Sequence, residues 1–397
     1  MENFIYYTPT KVYFGKGQVD NVANIIKEYN PHKVLIHYGG GSAIKSGLLG
    51  KVKDLLTKGN IPFVELGGVC PNPVLSLVRK GIELCINEKV DFILAIGGGS
   101  VLDSAKDIAN GLANPDVDVW DFSLGKASPK STIKKGCILT ISAAGSEMSN
   151  SCVISNEITK QKKGYGTDFN RFDFAIEDPT LTFSVSPYQT ACGIVDIAMH
   201  TIERYFDLGS DTNLTDDIAL ALIKNVNENG LKCLINPNDY DARANMMWAS
   251  SLAHNGLTHC GREFLLTVHQ LEHPLSAMYP EIAHGAGLAA LWCSWARYSY
   301  KSNIERWKKY AIKVWDIESN LSDEEIINRA IDKQEVFYHQ IGMPTSLEEL
   351  GVKESDLLEL SNVVSVNKTR TIKGYKPLSF DDVFEIYKMS LRRKFND

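Results

Sequence analysis

Four absences narrow this 397-residue chain before any motif is read. No stretch approaches the roughly 18 to 20 apolar residues of a spanning helix, so no membrane span is expected. The opening residues, MENFIYYTPTK, lack the basic region and apolar core of a secretory signal, and the eight cysteines stand singly, with no CxxC. Both features point to a cytoplasmic setting with reduced, mostly buried thiols. No basic run exceeds a few residues and the net charge is −6, which argues against nucleic acid as a partner. The short runs KGYKP and LRRK read as solvated surface. A more local absence is that of carboxylates: from Ile36 through Lys53 there is neither Asp nor Glu. What remains is ordinary globular material, 44% apolar and 23% charged, in a chain long enough for two cores.

Two textures follow one another along the chain. Residues 1–185 alternate short apolar runs with amphipathic stretches. KVLIHY (33–38), IPFVEL (61–66), DFILAIG (91–97) and GCILTIS (136–142) are the expected strands. Strand, helix, strand at this spacing implies parallel βαβ units. At Ser186 and Pro187 the pattern changes to that of a capped helix start, and helical periodicity continues to the end. The expected architecture is an α/β dinucleotide-binding domain over 1–185 and an all-helical metal-binding domain over 186–397.

Two of the expected strands run straight into glycines, YGGGS (38–42) and IGGGS (96–100). A glycine turn between strand and helix lets backbone N–H groups approach a phosphate, aided by the helix dipole. Neither turn completes G-x-G-x-x-G and neither carries the GK[ST] of a Walker loop, so each alone is weak. Two of them, each closing a buried strand, point to a nucleotide at the carboxyl edge of a parallel sheet. Asp103 and Lys106 lie about one turn into the second helix, within reach of a bound group. The missing carboxylates matter here. An acid beside the adenosine ribose would accept from its 2′-OH and repel a 2′-phosphate. The first turn offers only Gly39, Gly40, Gly41 and Ser42, with Lys45 beyond, which favours NADP(H) over NAD.

Nine histidines occur in the chain, and three of them fall in HQLEHPLSAMYPEIAHG: His269, His273 and His284. Upstream, Asp196 and His200 are four apart on an apolar helical stretch, which puts them on one face. A carboxylate on so apolar a helix needs a partner. Asp196 and His200 facing a histidine of the second helix, with His284 from the next turn, make an Asp/His3 site. That donor set suits Fe(II) or Zn(II) and is too rich in nitrogen for Mg or Ca. HQLEH is not HExxH, so the general base of a zinc protease is missing.

PTKVYFGKG (9–17), GGGSVLDSAK (97–106), GSE (145–147), the Asp196/His200 helix and HQLEH…HGAGLA together resemble the iron-containing (group III) alcohol dehydrogenases. The likeness runs in order through nearly the whole chain and is strongest to the NADPH-dependent butanol dehydrogenase branch. It implies a dehydroquinate synthase-like architecture with the active site in a cleft, and at least a homodimer. It also implies that Asp196, His200, His269 and His284 are the metal ligands, and that His273 lines the cleft beside the nicotinamide. Gly97, Gly98, Gly99 and Ser100 then match the pyrophosphate turn, and Asp103, Thr140 and Lys162 match other cofactor positions. Three departures stand out. The spacing from His273 to His284 is one residue longer than the family pattern. Ala144 replaces a frequent threonine, and Pro274 should disfavour α geometry at His273.

The implied reaction is hydride transfer between nicotinamide and a short-chain alcohol or aldehyde such as butanal. His273 is the candidate proton relay, because imidazole titrates near neutrality. Two rivals remain. A metal-dependent lyase resembling dehydroquinate synthase would need several cations for an anionic substrate. Around the metal helices the chain offers only Arg204, Arg262 and Lys162. A non-catalytic nucleotide-binding protein would have no need of so complete a ligand set.

Overall fold

A computed structural model of the chain describes residues 1–207, 212–263 and 265–392. Arg393 and Lys394 of the LRRK run lie outside the described residues. The chain divides into two compact units. One comprises residues 7–185 and 237–255, the other 1–6, 186–236 and 256–397.

The first unit is built on a parallel sheet. Its strands are β1 (Lys11–Phe14), β2 (Val34–Gly39), β3 (Phe63–Val69), β4 (Phe92–Gly97) and β5 (Lys134–Leu139). An antiparallel hairpin of β6 (Ser151–Asn156) and β7 (Gln161–Gly166) intervenes before β8 (Phe174–Glu177). The six parallel strands lie in the order β1-β8-β5-β4-β2-β3. Helices cover both faces, which is why the central strands read as unbroken apolar runs. Alternate residues of β4 feed opposite cores. Ile93 and Ala95 join Leu35, Cys137 and Ala175 beneath the Leu75–Glu88 and Gly99–Ala113 helices. Phe92, Leu94 and Ile96 join Val34, Ile36 and Phe174 beneath the Val22–Lys27 and Leu48–Lys58 helices.

The four expected strands form β2, β3, β4 and β5. The chain passes from β2 outward to β3 and then returns to β4 on the other side of β2. The connections therefore diverge between β2 and β4, the switch point at which open α/β sheets bind ligands. His37 pairs with Ala95 and Tyr38 with Ile96, so Gly39 and Gly97 end neighbouring strands in register.

In the helical unit, the Pro187–Tyr205 helix starts as expected, with the Ser186 hydroxyl accepting from the Gln189 N–H at 3.2 Å. It is buried on every side from Thr190 to Tyr205. The Asn213–Ile235 helix crosses it at Gly230, where a Cβ would stand 2.7 Å from Ile194. KGYKP is not the solvated run expected. Tyr375 is buried and donates to the Asn303 carbonyl at 2.6 Å, and Gly374 packs on Thr267. Among the described residues no helix is long and apolar enough to cross a membrane. None of the eight cysteines forms a disulfide, and seven of them are buried.

The Tyr240–His254 helix belongs to the α/β unit and brings Ser251 to two buried carboxyls. Ser251 Oγ lies 2.6 Å from Glu147 Oε1 and 2.8 Å from Glu177 Oε1. A hydroxyl has one hydrogen, so one of these contacts needs a carboxylic acid as donor. Burial pushes both glutamates above the ordinary carboxylate range, and for Glu177 the neighbouring Glu147 adds to the effect. An acid held protonated in the fold but ionising near 4.5 when unfolded is a liability as pH rises, because the native state then binds the extra proton. Each pH unit of that excess costs about 1.4 kcal/mol. The Glu177→Gln variant, neutral at every pH, is expected to melt above the wild type, with a gap that widens by about 3 °C or more between about pH 5 and pH 8. Thermal melts across that range check it, and a gap that closes with rising pH would show that no proton is shared.

Candidate metal centre and cofactor edge

Four side chains of the helical unit converge and a fifth, His273, lies beside them. Asp196 and His200 come from the Pro187–Tyr205 helix and His269 and His273 from the Thr267–Met278 helix. His284 is the first residue of the His284–Ser299 helix. Cys192, Asp196 and His200 are spaced by four and share a face. The His284–Ser299 helix crosses that face at Gly285, where a Cβ would lie 2.3 Å from the Cys192 carbonyl oxygen. Only glycine permits this backbone approach, and it delivers His284 beside Asp196.

Asp196 Oδ1 is 3.4 Å from His200 Nε2, 3.6 Å from His269 Nε2 and 3.9 Å from His284 Nε2. Bonds of about 2.0 to 2.2 Å in a tetrahedral site place ligand atoms roughly 3.3 to 3.6 Å apart. Asp196 Oδ1 and His269 Nε2 are buried without a hydrogen-bond partner. Leaving such atoms unsatisfied is costly, and a divalent ion at their centre satisfies both. The residues fit the group. Burial opposes a charge on His269, but the Glu203 and Asp196 carboxylates outweigh it and push the ring up to about 9. The same field favours a metal cation.

His273 stands apart from this convergence. Its ring centroid is 6.5 Å from that of His269 and 5.9 Å from that of His284, and it is half-buried. Glu272, His273 and His284 form a second close trio, but the Glu272 oxygens are engaged by Ser276 and His284 Nδ1. Pro274 does not end the helix at His273, as its type suggests. The helix runs on through it to Met278. The stretch leading to His284 contains a turn closed by the Ile282 N–H on the Tyr279 carbonyl at 3.0 Å.

Two carboxylates here escaped the sequence reading. Glu203 accepts from His269 Nδ1 and Glu272 accepts from His284 Nδ1. Their signal was the one applied to Asp196, an acid on an apolar helix, at three residues beyond His200 and beyond His269. The cations that a lyase would need are committed elsewhere. Arg204 donates to the His200 carbonyl, and Arg262 pairs with Asp216 at 2.8 Å.

In the α/β unit three small-residue turns meet at the carboxyl edge of the sheet. The Thr140 N–H donates to the Gly97 carbonyl at 3.1 Å, tying the end of β5 to that of β4. None of Gly39–41 or Gly97–99 has a positive φ. Their need is for space. A Cβ on Gly97 would lie 2.5 Å from a Val101 methyl, and one on Gly98 2.3 Å from an Ile141 methyl. Gly98 caps the Gly99–Ala113 helix without any side-chain bond to its first amides, including that of Ser100, a ready anion cradle. Gly40 faces open space, with nothing within 4 Å of a Cβ there. Gly41 and Ser42 open the short Ser42–Lys45 helix.

Asp103 and Lys106 turn inward rather than toward a ligand. Asp103 accepts from Ser146 Oγ at 2.6 Å and from the Val153 N–H at 2.9 Å. Lys106 is fully buried and donates to Ser146 Oγ and the Ser151 carbonyl, both at 2.7 Å. Together they hold the GSE turn. The Ala144 carbonyl accepts from His254 Nδ1 at 2.7 Å. Lys162 lies on the hairpin, paired across from Ser155, and not on any of the three turns.

Comparison with known proteins comes to the same point from outside. Residues 9–179 match the iron-containing alcohol dehydrogenase family model, and residues 190–391 match its C-terminal counterpart. The chain is 41% identical to the NADH-dependent butanol dehydrogenase A of Clostridium acetobutylicum over 98% of its own length and 100% of the relative's. It is 38% identical to the NADPH-dependent aldehyde reductase YqhD of Escherichia coli, covering 90% and 91%. The crystal structure of NADH-dependent butanol dehydrogenase A from Thermotoga maritima superposes with a TM-score of 0.94 at 37% identity, covering 99% of each chain.

The His284→Ala variant is expected to lose bound metal, while His273→Ala retains it and loses turnover. Metal content after gel filtration and steady-state rates check this, and the reverse result would exchange the two roles.

Proposed function

The chain belongs to the iron-containing alcohol dehydrogenase family, and on that premise we propose that it reduces short linear aldehydes such as butanal with NADPH. It is a metal-dependent, nicotinamide-linked alcohol dehydrogenase or aldehyde reductase. The observation that carries the reading is the convergence of Asp196 Oδ1 with three histidine Nε2 atoms, two of the four buried and unsatisfied.

Asp196, His200, His269 and His284 would hold the ion, Fe(II) or Zn(II), which supplies Lewis-acid polarisation of the substrate oxygen while the nicotinamide supplies the hydride. The Gly97–Ser100 turn binds the pyrophosphate at the helix N-terminus. Gly39 to Ser42 leave room for a 2′-phosphate, with Lys45 a turn away as its counter-charge. Thr140 and Lys162 complete the cofactor contacts, and Asp103 acts indirectly by bracing Ser146. His273, close to the ligand rings and outside their convergence, passes the hydroxyl proton at a ring nitrogen. Relatives are named for each nicotinamide cofactor, so the preference for NADPH rests on this chain's own first turn. A cell that keeps NADPH reduced drives the reaction toward alcohol. The free thiols suit the cytoplasm, and a homodimer is the proposed assembly.

Metal-free protein loaded anaerobically with Fe(II) or Zn(II) is expected to oxidise NADPH with butanal faster than NADH; faster use of NADH would overturn the cofactor assignment. In Gly40→Asp the new side chain meets open space, so it tests charge and not packing. Its NADPH-to-NADH ratio of kcat/KM is expected to fall roughly tenfold, the effect of about 1.4 kcal/mol of like-charge repulsion. An unchanged ratio would place the 2′-phosphate elsewhere.

A further inference from the structure

Glu203 and Glu272 are buried at the metal centre, and the reaction above leaves them without a task. We propose that they are positioning residues, each fixing the tautomer and orientation of one ligand histidine so that its Nε2 lone pair faces the ion. This rests on the metal reading of Asp196, His200, His269 and His284. An ionised carboxylate can only accept, so a neutral ring that bonds it through Nδ1 carries its proton there and bares Nε2 to the ion. His269 does this with Glu203, and His284 with Glu272. Their Nε2 atoms then stand 3.6 and 3.9 Å from Asp196 Oδ1. His200 is held differently. Arg204 donates to its backbone carbonyl. The two carboxylates thus set the tautomer of His269 and His284.

The surroundings are shaped around these acids. Ser276 Oγ donates to the second oxygen of Glu272. A Cβ at Gly287 would stand 2.9 Å from Glu272 Cγ, so the second glycine of HGAG keeps the place of this carboxylate open. Glu203 has a further duty. It also takes the backbone N–H groups of Val268 and His269 at the start of the Thr267–Met278 helix, where Leu266 offers no side-chain cap. With the three rings neutral, the carboxylates of Asp196, Glu203 and Glu272 and the Arg204 guanidinium sum to two negative charges, which one divalent ion cancels. Partners of ligand histidines in metal sites commonly govern affinity by about ten- to a hundredfold.

Glu272 is the cleaner test, because removing Glu203 also uncaps a helix. Zn(II) affinity of the metal-free full-length chain is measured against a chromophoric chelator, together with the melting temperature of the metal-free protein. Glu272→Gln is expected to bind about ten- to a hundredfold more weakly, with the metal-free melting temperature unchanged or raised. Glu272→Asp keeps the charge but withdraws the oxygens by one methylene, and is expected to lose affinity as well. An affinity within about twofold of wild type in Glu272→Gln would overturn the proposal. So would full affinity in Glu272→Asp, which would assign the effect to charge alone, or a loss that merely tracks a lowered metal-free melting temperature. Wild-type protein that binds no Zn(II), or His284→Ala that binds it fully, would instead overturn the metal reading and the proposal with it.

Discussion

A carboxylate in the middle of a buried helix is the constraint on which the helical unit turns. Asp196 sits on a helix enclosed on every side, with one oxygen facing no hydrogen-bond donor. An isolated charge in such a place is costly enough that the surroundings must supply a cation. Everything nearby answers that demand. Three imidazoles aim Nε2 at the same oxygen, two of them backed by acids that would be equally costly without the rings. The arrangement is stable as a set and expensive in any part, which is the behaviour expected of a site built around an ion.

The α/β unit obeys a different constraint, the close packing of its turns at the ends of the strands. Its glycines at the ends of β2 and β4 have ordinary backbone angles, so their value lies in the missing Cβ. Val101, Ile141 and Ala144 fill the space beside Gly97, Gly98 and Gly99, which packs the three turns into one edge. Asp103 and Lys106 reinforce that edge from inside. An ion pair under the turn fixes the serine beside which the turn folds.

Legibility followed the physics of each feature. The buried central strands announced themselves as apolar runs, and β2 to β5 were all foreseen. β1 and β8, four residues each, were too short to stand out, though β8 is interior to the sheet. In the site, the residues that converge on Asp196 could be named because four-residue spacing and histidine clustering are local signals. Glu203 and Glu272 were passed over because their meaning depends on which ring each one meets, a tertiary fact. KGYKP misled for the same reason. A pattern of charges around Gly374 and Tyr375 does not reveal that the tyrosine reaches the Asn303 carbonyl.

The contacts around His284 leave room for variation in the loop before it. The position of His284 is set downstream of the loop. Gly285 seats its helix on the Cys192 backbone, Gly287 leaves room for Glu272, and Glu272 holds the ring. These contacts fix the helix start whatever the path that leads to it. The turn from Tyr279 to Ala283 can then absorb a residue, because no ligand depends on its length. Pro274 is tolerated by the same logic. The proposed ligand His269 lies in the first turn, ahead of the proline, where Glu203 and not the helix ladder satisfies the backbone amides. The position of His284 is held by packing at the two glycines and by the Glu272 carboxylate.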